Sequence, residues 1–218
     1  MTSPLPREYT QEWTPIQDLE VNVPEGLFIP RIATEEWVKE SFSLISIDSS
    51  TTFVDLCAGT GLISLLLAKQ FPNHSIIALD INPLSQSTIR KNTLHNSLDK
   101  IEVYESNLFS DSPLLQQPWI LYCNPPYVPD SDLELVVTNN IAYEPAEAIF
   151  GGGHDGLNFF KKILKDIQHI PAPQVAFFEL DPRNIQAALD LAEQTLKLTS
   201  AKIIIDSYGF KRTLVLYF

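Results

Sequence analysis

Residues 52–69 read TFVDLCAGTGLISLLLAK, and this stretch decides the fold. Its first five residues suit a buried strand, its last eight suit a helix, and a turn with two glycines joins them. Glycine allows a positive φ and lets the backbone approach a ligand closely. The dinucleotide fingerprint G-x-G-x-x-G is incomplete because Cys57 stands at its first position, so a pyrophosphate site is poorly supported. The stretch predicts a strand–turn–helix unit, and a plain connecting turn stays open as the alternative to a ligand site.

The same alternation of strand and helix continues along the chain. Strands are predicted at 52–56, 75–79, 101–104, 119–123, 175–180, 201–205 and 213–218, and helices at 62–69, 84–94, 157–167 and 184–195. Apolar strands that alternate with helices predict an α/β fold, here a seven-stranded, mostly parallel sheet with helices on both faces. The last two strands, on either side of residues 208–211, are expected to close the sheet as an antiparallel hairpin.

The first part of the chain has a different pattern. Residues 1–45 are interpreted as a hairpin-and-helix extension, and residues 46–218 as the main domain. The apolar alternation over Leu19–Val23 predicts a small hairpin. Thr34 is expected to cap a helix whose first turn carries acidic residues.

Charge and composition exclude several classes of protein. The 218 residues include 15 Lys and Arg against 27 Asp and Glu, a formal net charge of −12 at pH 7. This balance argues against a protein that holds nucleic acid by charge alone, because phosphate contacts need clustered basic side chains. No apolar run reaches the roughly 20 residues of a membrane helix. Since the first residues also lack a secretory pattern, a cytoplasmic location without a membrane partner is expected. Two cysteines and four scattered histidines form no ligand pattern, so no metal is expected.

Three polar segments stand at the carboxyl ends of predicted strands: Asp55–Gly61, Asp80–Asn82 and Asn124–Tyr127. Ligands of open α/β sheets bind beyond these ends, so we expect the three segments to meet in one crevice. Asp80 lies about 20 residues past the glycines, where a carboxylate can accept the hydroxyl groups of a ribose. The alternative role, a cap for the next helix, suits Asn82 better.

The segment Asn124-Pro125-Pro126-Tyr127 is the most specific signal in the chain. Two prolines fix the backbone and remove two hydrogen-bond donors. The Asn124 side-chain oxygen and the Pro125 carbonyl remain as acceptors, and such a corner can accept both hydrogens of an NH₂ group. Tyr127 can stack on the planar group that carries this NH₂.

Together these segments resemble the class I S-adenosylmethionine-dependent methyltransferases that act on planar nitrogens, and most of all the release-factor glutamine methyltransferases (the PrmC/HemK family). The resemblance runs from about Ile29 to Phe218. It rests on I-P-R and T-E within 29–35, the glycine turn at 55–61, N-P-P-Y at 124–127, Y-E-P at 143–145 and G-G-G-H-D-G-L at 151–157. N-P-P-Y alone also occurs in adenine and guanine methyltransferases, so the combination of motifs gives the specificity.

The resemblance implies the cofactor S-adenosyl-L-methionine and two sets of site residues. The catalytic set is Asn124, Pro125 and Tyr127. The cofactor-binding set is Asp55, Cys57, Ala58, Gly59, Gly61, Asp80, Ile81, Asn107, Leu108 and Asn124. Four features depart from the family pattern: Cys57 replaces a glycine, Asn107 replaces an aspartate near the adenine, the stretch 151–157 is one residue longer than usual, and Glu179–Asp181 only partly resembles E-I-G.

The implied reaction is methylation of the side-chain amide nitrogen of a glutamine exposed on a protein, with a release factor as the candidate partner. Because the resemblance begins near Ile29, the N-terminal helical domain with which this family helps to engage the release factor is expected to be absent. A partner subunit that replaces it is therefore one expectation. Two other functions stay open: a nucleic-acid base N-methyltransferase, which the acidic charge disfavours, and a cofactor-binding protein without catalysis.

Overall fold

The computed structural model describes residues 4–98, 101–113, 115–116, 118–132 and 143–218. The strands in these residues are β1 Thr14–Ile16, β2 Leu19–Val21, β3 Thr52–Leu56, β4 Ser75–Asp80, β5 Ile101–Glu105, β6 Trp119–Cys123, β7 Val175–Glu179, β8 Ser200–Ile205 and β9 Lys211–Tyr217. The α-helices are α1 Arg7–Thr10, α2 Ile32–Ser41, α3 Leu62–Gln70, α4 Pro83–His95, α5 Asn158–Ile167 and α6 Ile185–Thr195.

Seven of these strands form one sheet in the order β5-β4-β3-β6-β7-β9-β8. The first five are parallel, and β9 runs antiparallel to both of its neighbours. The predicted α/β sheet with a C-terminal antiparallel hairpin is therefore confirmed. The chain leaves β3 toward β4 on one side and returns to β6 on the other, which makes the end of β3 a topological switch point. Leu56 pairs with Leu79 and with Cys123, so three strands end at one level there.

The core lies on both faces of the sheet, and β6 shows why its residues form a central strand. All five of its residues are buried. Trp119, Leu121 and Cys123 join the hydrophobic cluster that includes α5 and α6. Ile120 and Tyr122 join the opposite cluster with residues of α2 and α3. Burying one such large apolar side chain stabilises the fold by about 1.5–3 kcal/mol, so an apolar run buried on both sides needs no polar alternation.

The hairpin predicted around Leu19–Val23 is present as β1 and β2, with Thr14 paired to Val21. It is attached to α4, because Asn92 Oδ1 accepts a hydrogen bond from the Asn22 backbone N–H at 2.8 Å. Hydrophobic residues of the hairpin lie in the same cluster as residues of β3 and α3. The boundary between residues 45 and 46 stays a prediction.

The predicted cap at Thr34 is wrong. Helix α2 begins at Ile32, and Thr34 lies inside it, 4% exposed. The physical reason is a distant partner: the Thr34 hydroxyl donates to Glu179 Oε2 at 2.6 Å instead of accepting from the first turn of its own helix. The predicted cap at Asn82 is confirmed, since its side chain accepts from the Leu84 backbone N–H at 3.0 Å.

Candidate active site

A cavity of about 760 Å³ opens at the carboxyl ends of β3, β4 and β6. The predicted segments after these three strands all contribute to its wall, so the expectation of one crevice is confirmed. Residues before and at the start of α2 form a further wall. The site residues proposed from the sequence that line the cavity are Cys57, Ala58, Gly59, Asp80, Ile81, Asn107, Leu108, Asn124, Pro125 and Tyr127. Asp55 and Gly61 do not belong to the lining.

The turn after β3 requires a left-handed backbone at three positions. Cys57, Gly59 and Gly61 have φ values of 62°, 54° and 84°. Cys57 thus adopts a backbone conformation that glycine adopts most easily. This conformation accounts for the glycine at the same position in the family that the sequence resembles. A Cβ on Gly59 would meet nothing within 4 Å, whereas a Cβ on Gly61 would lie 2.8 Å from Ile89 Cγ1. Gly59 is thus the glycine that leaves its backbone open beside the cavity, and Gly61 is the one that lets the turn pack on α4.

The carboxylate of Asp80 joins the turn to the start of α4. Its Oδ2 accepts from the Gly59 backbone N–H at 2.7 Å, and its Oδ1 accepts from the Asn82 backbone N–H at 2.8 Å. Burial raises the pKa of Asp80, and these two N–H groups oppose the rise. Each carboxylate oxygen has a further lone pair, so Asp80 can accept hydroxyl groups while it holds the turn.

Asp55 lies under the cavity and faces α3. Its Oδ2 accepts from the Ser64 backbone N–H at 2.9 Å and from Ser64 Oγ at 2.7 Å. Its Oδ1 is buried without a hydrogen-bond partner among the described residues. Burial raises the pKa of Asp55 to about 7. In the protein as described Asp55 holds the first turn of α3, and its contact with a cofactor stays a prediction.

The turn after β6 places its polar atoms at the other end of the cavity. Asn124 Nδ2 donates to Thr34 Oγ1 at 3.2 Å, and the Tyr127 hydroxyl donates to Glu179 Oε1 at 3.0 Å. Burial, and then the neighbouring Glu179 carboxylate, hold the pKa of Tyr127 well above its usual range. Asn124 and Tyr127 are partly buried, and Pro125 between them is buried and lines the cavity.

A glycine-rich loop supports this turn from behind. A Cβ on Gly156 would lie 2.1 Å from the Tyr127 carbonyl oxygen, and one on Gly151 would lie 2.8 Å from the Pro126 carbonyl oxygen. Asn184 Nδ2 donates to the Tyr127 carbonyl at 3.2 Å. The motif at 151–157 therefore acts by packing its backbone directly against the N-P-P-Y backbone.

Two buried carboxylates, Glu144 and Glu179, stand in motifs that the sequence analysis quoted, but it gave neither of them a role in the site. Glu144 accepts from the Ile29 backbone N–H at 2.8 Å and pairs with the Arg31 guanidinium. Glu179 accepts hydrogen bonds from the hydroxyl groups of Thr34 and Tyr127. An acidic residue that ends a strand otherwise read as apolar, V-A-F-F-E, was the available signal for Glu179.

Two other features, a metal centre and a membrane-spanning helix, are absent from the described ranges. No group of three or more His, Cys, Asp and Glu side chains there could hold a metal ion. Among the helices of these ranges, none has the length and apolar character needed to cross a membrane.

Comparison with known protein families gives one match of substantial length. Residues 42–156 match the family described as Methyltransferase small domain.

Curated proteins of similar sequence are release factor glutamine methyltransferases. The one from Flavobacterium psychrophilum is 31% identical over 213 residues, which cover 95% of this chain and 70% of that protein. The one from Borreliella burgdorferi is 30% identical over 190 residues, covering 86% and 65%. The one from Clostridium botulinum is 30% identical over 163 residues, covering 74% and 57%. The chain thus spans between 57% and 70% of the length of these relatives.

Solved structures of similar shape include the N-terminal domain of human METTL16 in complex with SAH, with a TM-score of 0.64 and 18% identity over 92% of this chain and 76% of that one. The hMettl16 catalytic domain in complex with MAT2A 3′UTR hairpin 1 has a TM-score of 0.70 and 17% identity over 92% and 75%. At these identities the likeness concerns the fold alone.

Proposed function

Because residues 42–156 match the methyltransferase small domain family, to which the chain therefore belongs, we propose that it methylates the side-chain amide nitrogen of a protein glutamine. A 31% identical relative, 70% of which the chain covers, is a release factor glutamine methyltransferase, and this likeness supports the proposal. A peptide chain release factor is therefore the acceptor protein that we propose.

The chain is an S-adenosylmethionine-dependent methyltransferase, and the cavity fits this cofactor. When bound, the sulfonium group of the cofactor supplies an electrophilic methyl group. A cavity of about 760 Å³ holds a ligand of this class. We assign the ribose to Asp80, the adenine to the apolar side chains of Ile81 and Leu108 with the Asn107 amide, and the remainder to the backbone at Gly59. Ile81 is 59% exposed although it is apolar, which suits a side chain that a ligand covers.

One observation carries the proposal: the N-P-P-Y turn opens into the same cavity as Asp80. The nitrogen of a glutamine side chain is a poor nucleophile, because its lone pair is delocalised into the carbonyl. The Asn124 oxygen and the Pro125 carbonyl would each accept one N–H bond and aim the lone pair at the methyl group. Positioning and electrostatics then lower the barrier, and the product proton leaves to water. Tyr127 would stack on the amide plane and stabilise the positive charge beside it.

The test uses purified protein, radiolabelled S-adenosylmethionine and a release factor purified from cells that lack this protein. We expect label in the release factor, and peptide mapping should place it on a glutamine. Asn124→Ala should reduce turnover by roughly 10²-fold or more, the usual effect of removing one polar group that acts on the transition state. Its dissociation constant for the cofactor, measured by calorimetry, should stay within about threefold, since most proposed cofactor contacts are elsewhere.

Asn73→Ala is the matched control, because Asn73 is exposed in the turn before β4. It should turn over like the wild type. Full turnover by Asn124→Ala with cofactor bound would contradict the mechanism. Label that enters RNA or DNA but no protein would instead support a base N-methyltransferase, which the net charge of −12 disfavours.

A further inference from the structure

A buried hydrogen-bond chain connects the turn after β6 to the end of β7. Glu179, 1% exposed, accepts from Thr34 Oγ1 at 2.6 Å and from Trp37 Nε1 at 2.7 Å through the same oxygen, Oε2. Its other oxygen, Oε1, accepts from the Tyr127 hydroxyl at 3.0 Å. Asn124 Nδ2 completes the chain at Thr34 Oγ1. Three donors therefore converge on one carboxylate, and a fourth lies one step behind them.

The direction of each hydrogen bond in this chain is determined by Glu179. Glu179 is the acceptor in all three of its hydrogen bonds, so the single hydroxyl hydrogen of Thr34 is committed to it. Thr34 Oγ1 can then only accept from its other neighbour. Of the two polar atoms at the end of the Asn124 side chain, only Nδ2 donates. The nitrogen must face Thr34, and the oxygen Oδ1 must point away from it.

The opposite amide orientation would place Asn124 Oδ1 against an oxygen that has no hydrogen left to give. Two acceptors in contact repel each other and leave the partly buried Asn124 amide without this hydrogen bond. The two orientations have the same shape, so packing alone would not choose between them. The hydrogen bond between Thr34 in α2 and Glu179 at the end of β7 therefore selects the orientation of the Asn124 amide.

We propose that Thr34 and Glu179 are positioning residues that hold the Asn124 amide in one of its two orientations, with Oδ1 presented to the acceptor nitrogen. That Oδ1 faces the acceptor nitrogen rests on the proposed function, whereas the orientation of the Asn124 amide is a property of the free protein. The site then offers two acceptors, Asn124 Oδ1 and the Pro125 carbonyl. It selects a group with two hydrogens on nitrogen, such as a primary amide.

The first arm of the test reads the orientation without any acceptor protein. In protein labelled with ¹⁵N-asparagine, the side-chain signal of Asn124 is the one that Asn124→Ala removes. Thr34→Val keeps the shape and removes the hydroxyl, so we expect the Asn124 NH₂ protons to shift and to exchange faster with water. Thr34→Ser, which keeps the hydroxyl, should restore the wild-type signal. Thr88→Val is the control, since it removes another buried hydroxyl, 3% exposed, in α4.

The second arm measures methyl transfer with the acceptor protein saturating. Loss of one oriented hydrogen bond together with a freely turning amide predicts a fall in kcat of roughly tenfold for Thr34→Val. Cofactor affinity should change by less than about threefold, and Thr34→Ser should recover most of kcat. In the Asn124→Ala background, Thr34→Val should have no further effect, because Thr34 acts through Asn124.

An unchanged Asn124 signal in folded Thr34→Val would overturn the orientation claim, whatever the protein methylates. A changed signal with an unchanged kcat would overturn the positioning role. Failure of the wild-type protein to methylate any glutamine would count against the proposed function and leave the first arm standing. If Thr34→Val does not fold, Thr34→Ala removes the same hydroxyl and is read in the same two arms.

Discussion

The pairing of Glu144 with the segment Ile29–Arg31 allows a quantitative prediction, because it joins two motifs that are more than 110 positions apart. The Glu144 side chain is 1% exposed and the Arg31 side chain 35% exposed. Changing Glu144 to Ala leaves the buried Ile29 N–H without an acceptor, which costs about 1–3 kcal/mol. Loss of the ion pair with the partly exposed Arg31 adds about 1 kcal/mol after allowance for solvent screening. We expect Glu144→Ala to lower the free energy of unfolding by roughly 2–4 kcal/mol.

Glu144→Gln separates the two parts of this figure. Its amide oxygen can still accept from Ile29, so only the contribution of the ion pair is lost, about 1 kcal/mol. Urea unfolding at constant pH measures both variants, with Glu193→Ala as the control, since Glu193 is exposed on α6. Equal losses for Glu144→Ala and Glu144→Gln would refute the role assigned to the Ile29 N–H. A loss below about 0.5 kcal/mol for both would show that the two motifs are not held together by Glu144.

Three further predictions concern the cavity floor and the turn. Gly61→Ala should destabilise the protein more than Gly59→Ala, by about 1–3 kcal/mol in thermal unfolding, because its Cβ would lie 2.8 Å from Ile89 Cγ1; equal melting temperatures would contradict this. Asp80→Asn should weaken cofactor binding in calorimetry by roughly tenfold or more, since charge-assisted hydrogen bonds are lost; an unchanged affinity would remove Asp80 from the site. The pKa of Asp55 rises in the folded protein from 3.8 to about 7, so between these values the folded state keeps a proton that the unfolded state has released. Stability should therefore fall as pH rises from 4 to 7, by up to roughly 4 kcal/mol, and Asp55→Asn should flatten this part of the urea-midpoint profile; an equal slope in both proteins would be the contrary result.

Local pattern was sufficient for the sheet and for the place of the site. The run 52–56 became β3 with the same bounds, and the run 119–123 became β6, because a buried strand is recognisable from its own residues. The positions of Asp80 and Asn124 followed from the rule that strand ends of a parallel sheet share one edge. The assigned roles of the individual site residues stay predictions.

Long-range polar contacts could not be read in the same way. Thr34 follows the pattern of a helix cap, yet its partner is Glu179, 145 positions along the chain. Glu144 stands inside a motif whose family resemblance gives no reason for the residue, and the reason is a backbone N–H at Ile29. In each case a hydrogen bond to a distant part of the fold determines the role of the residue. The periodicity of the sequence carries no information about such a partner.

The wide sequence separation of these contacts also has a consequence in time. The ribosome synthesises α2 long before β7, so more than a hundred further residues must be added after Thr34 before its partner Glu179 exists. Chains whose contacts join distant positions fold slowly, because the entropy of closing long loops is lost before those contacts form. The orientation of Asn124 is therefore expected to be among the last features acquired. An incomplete nascent chain would have the strand and the glycine turn, and it would still lack a competent site.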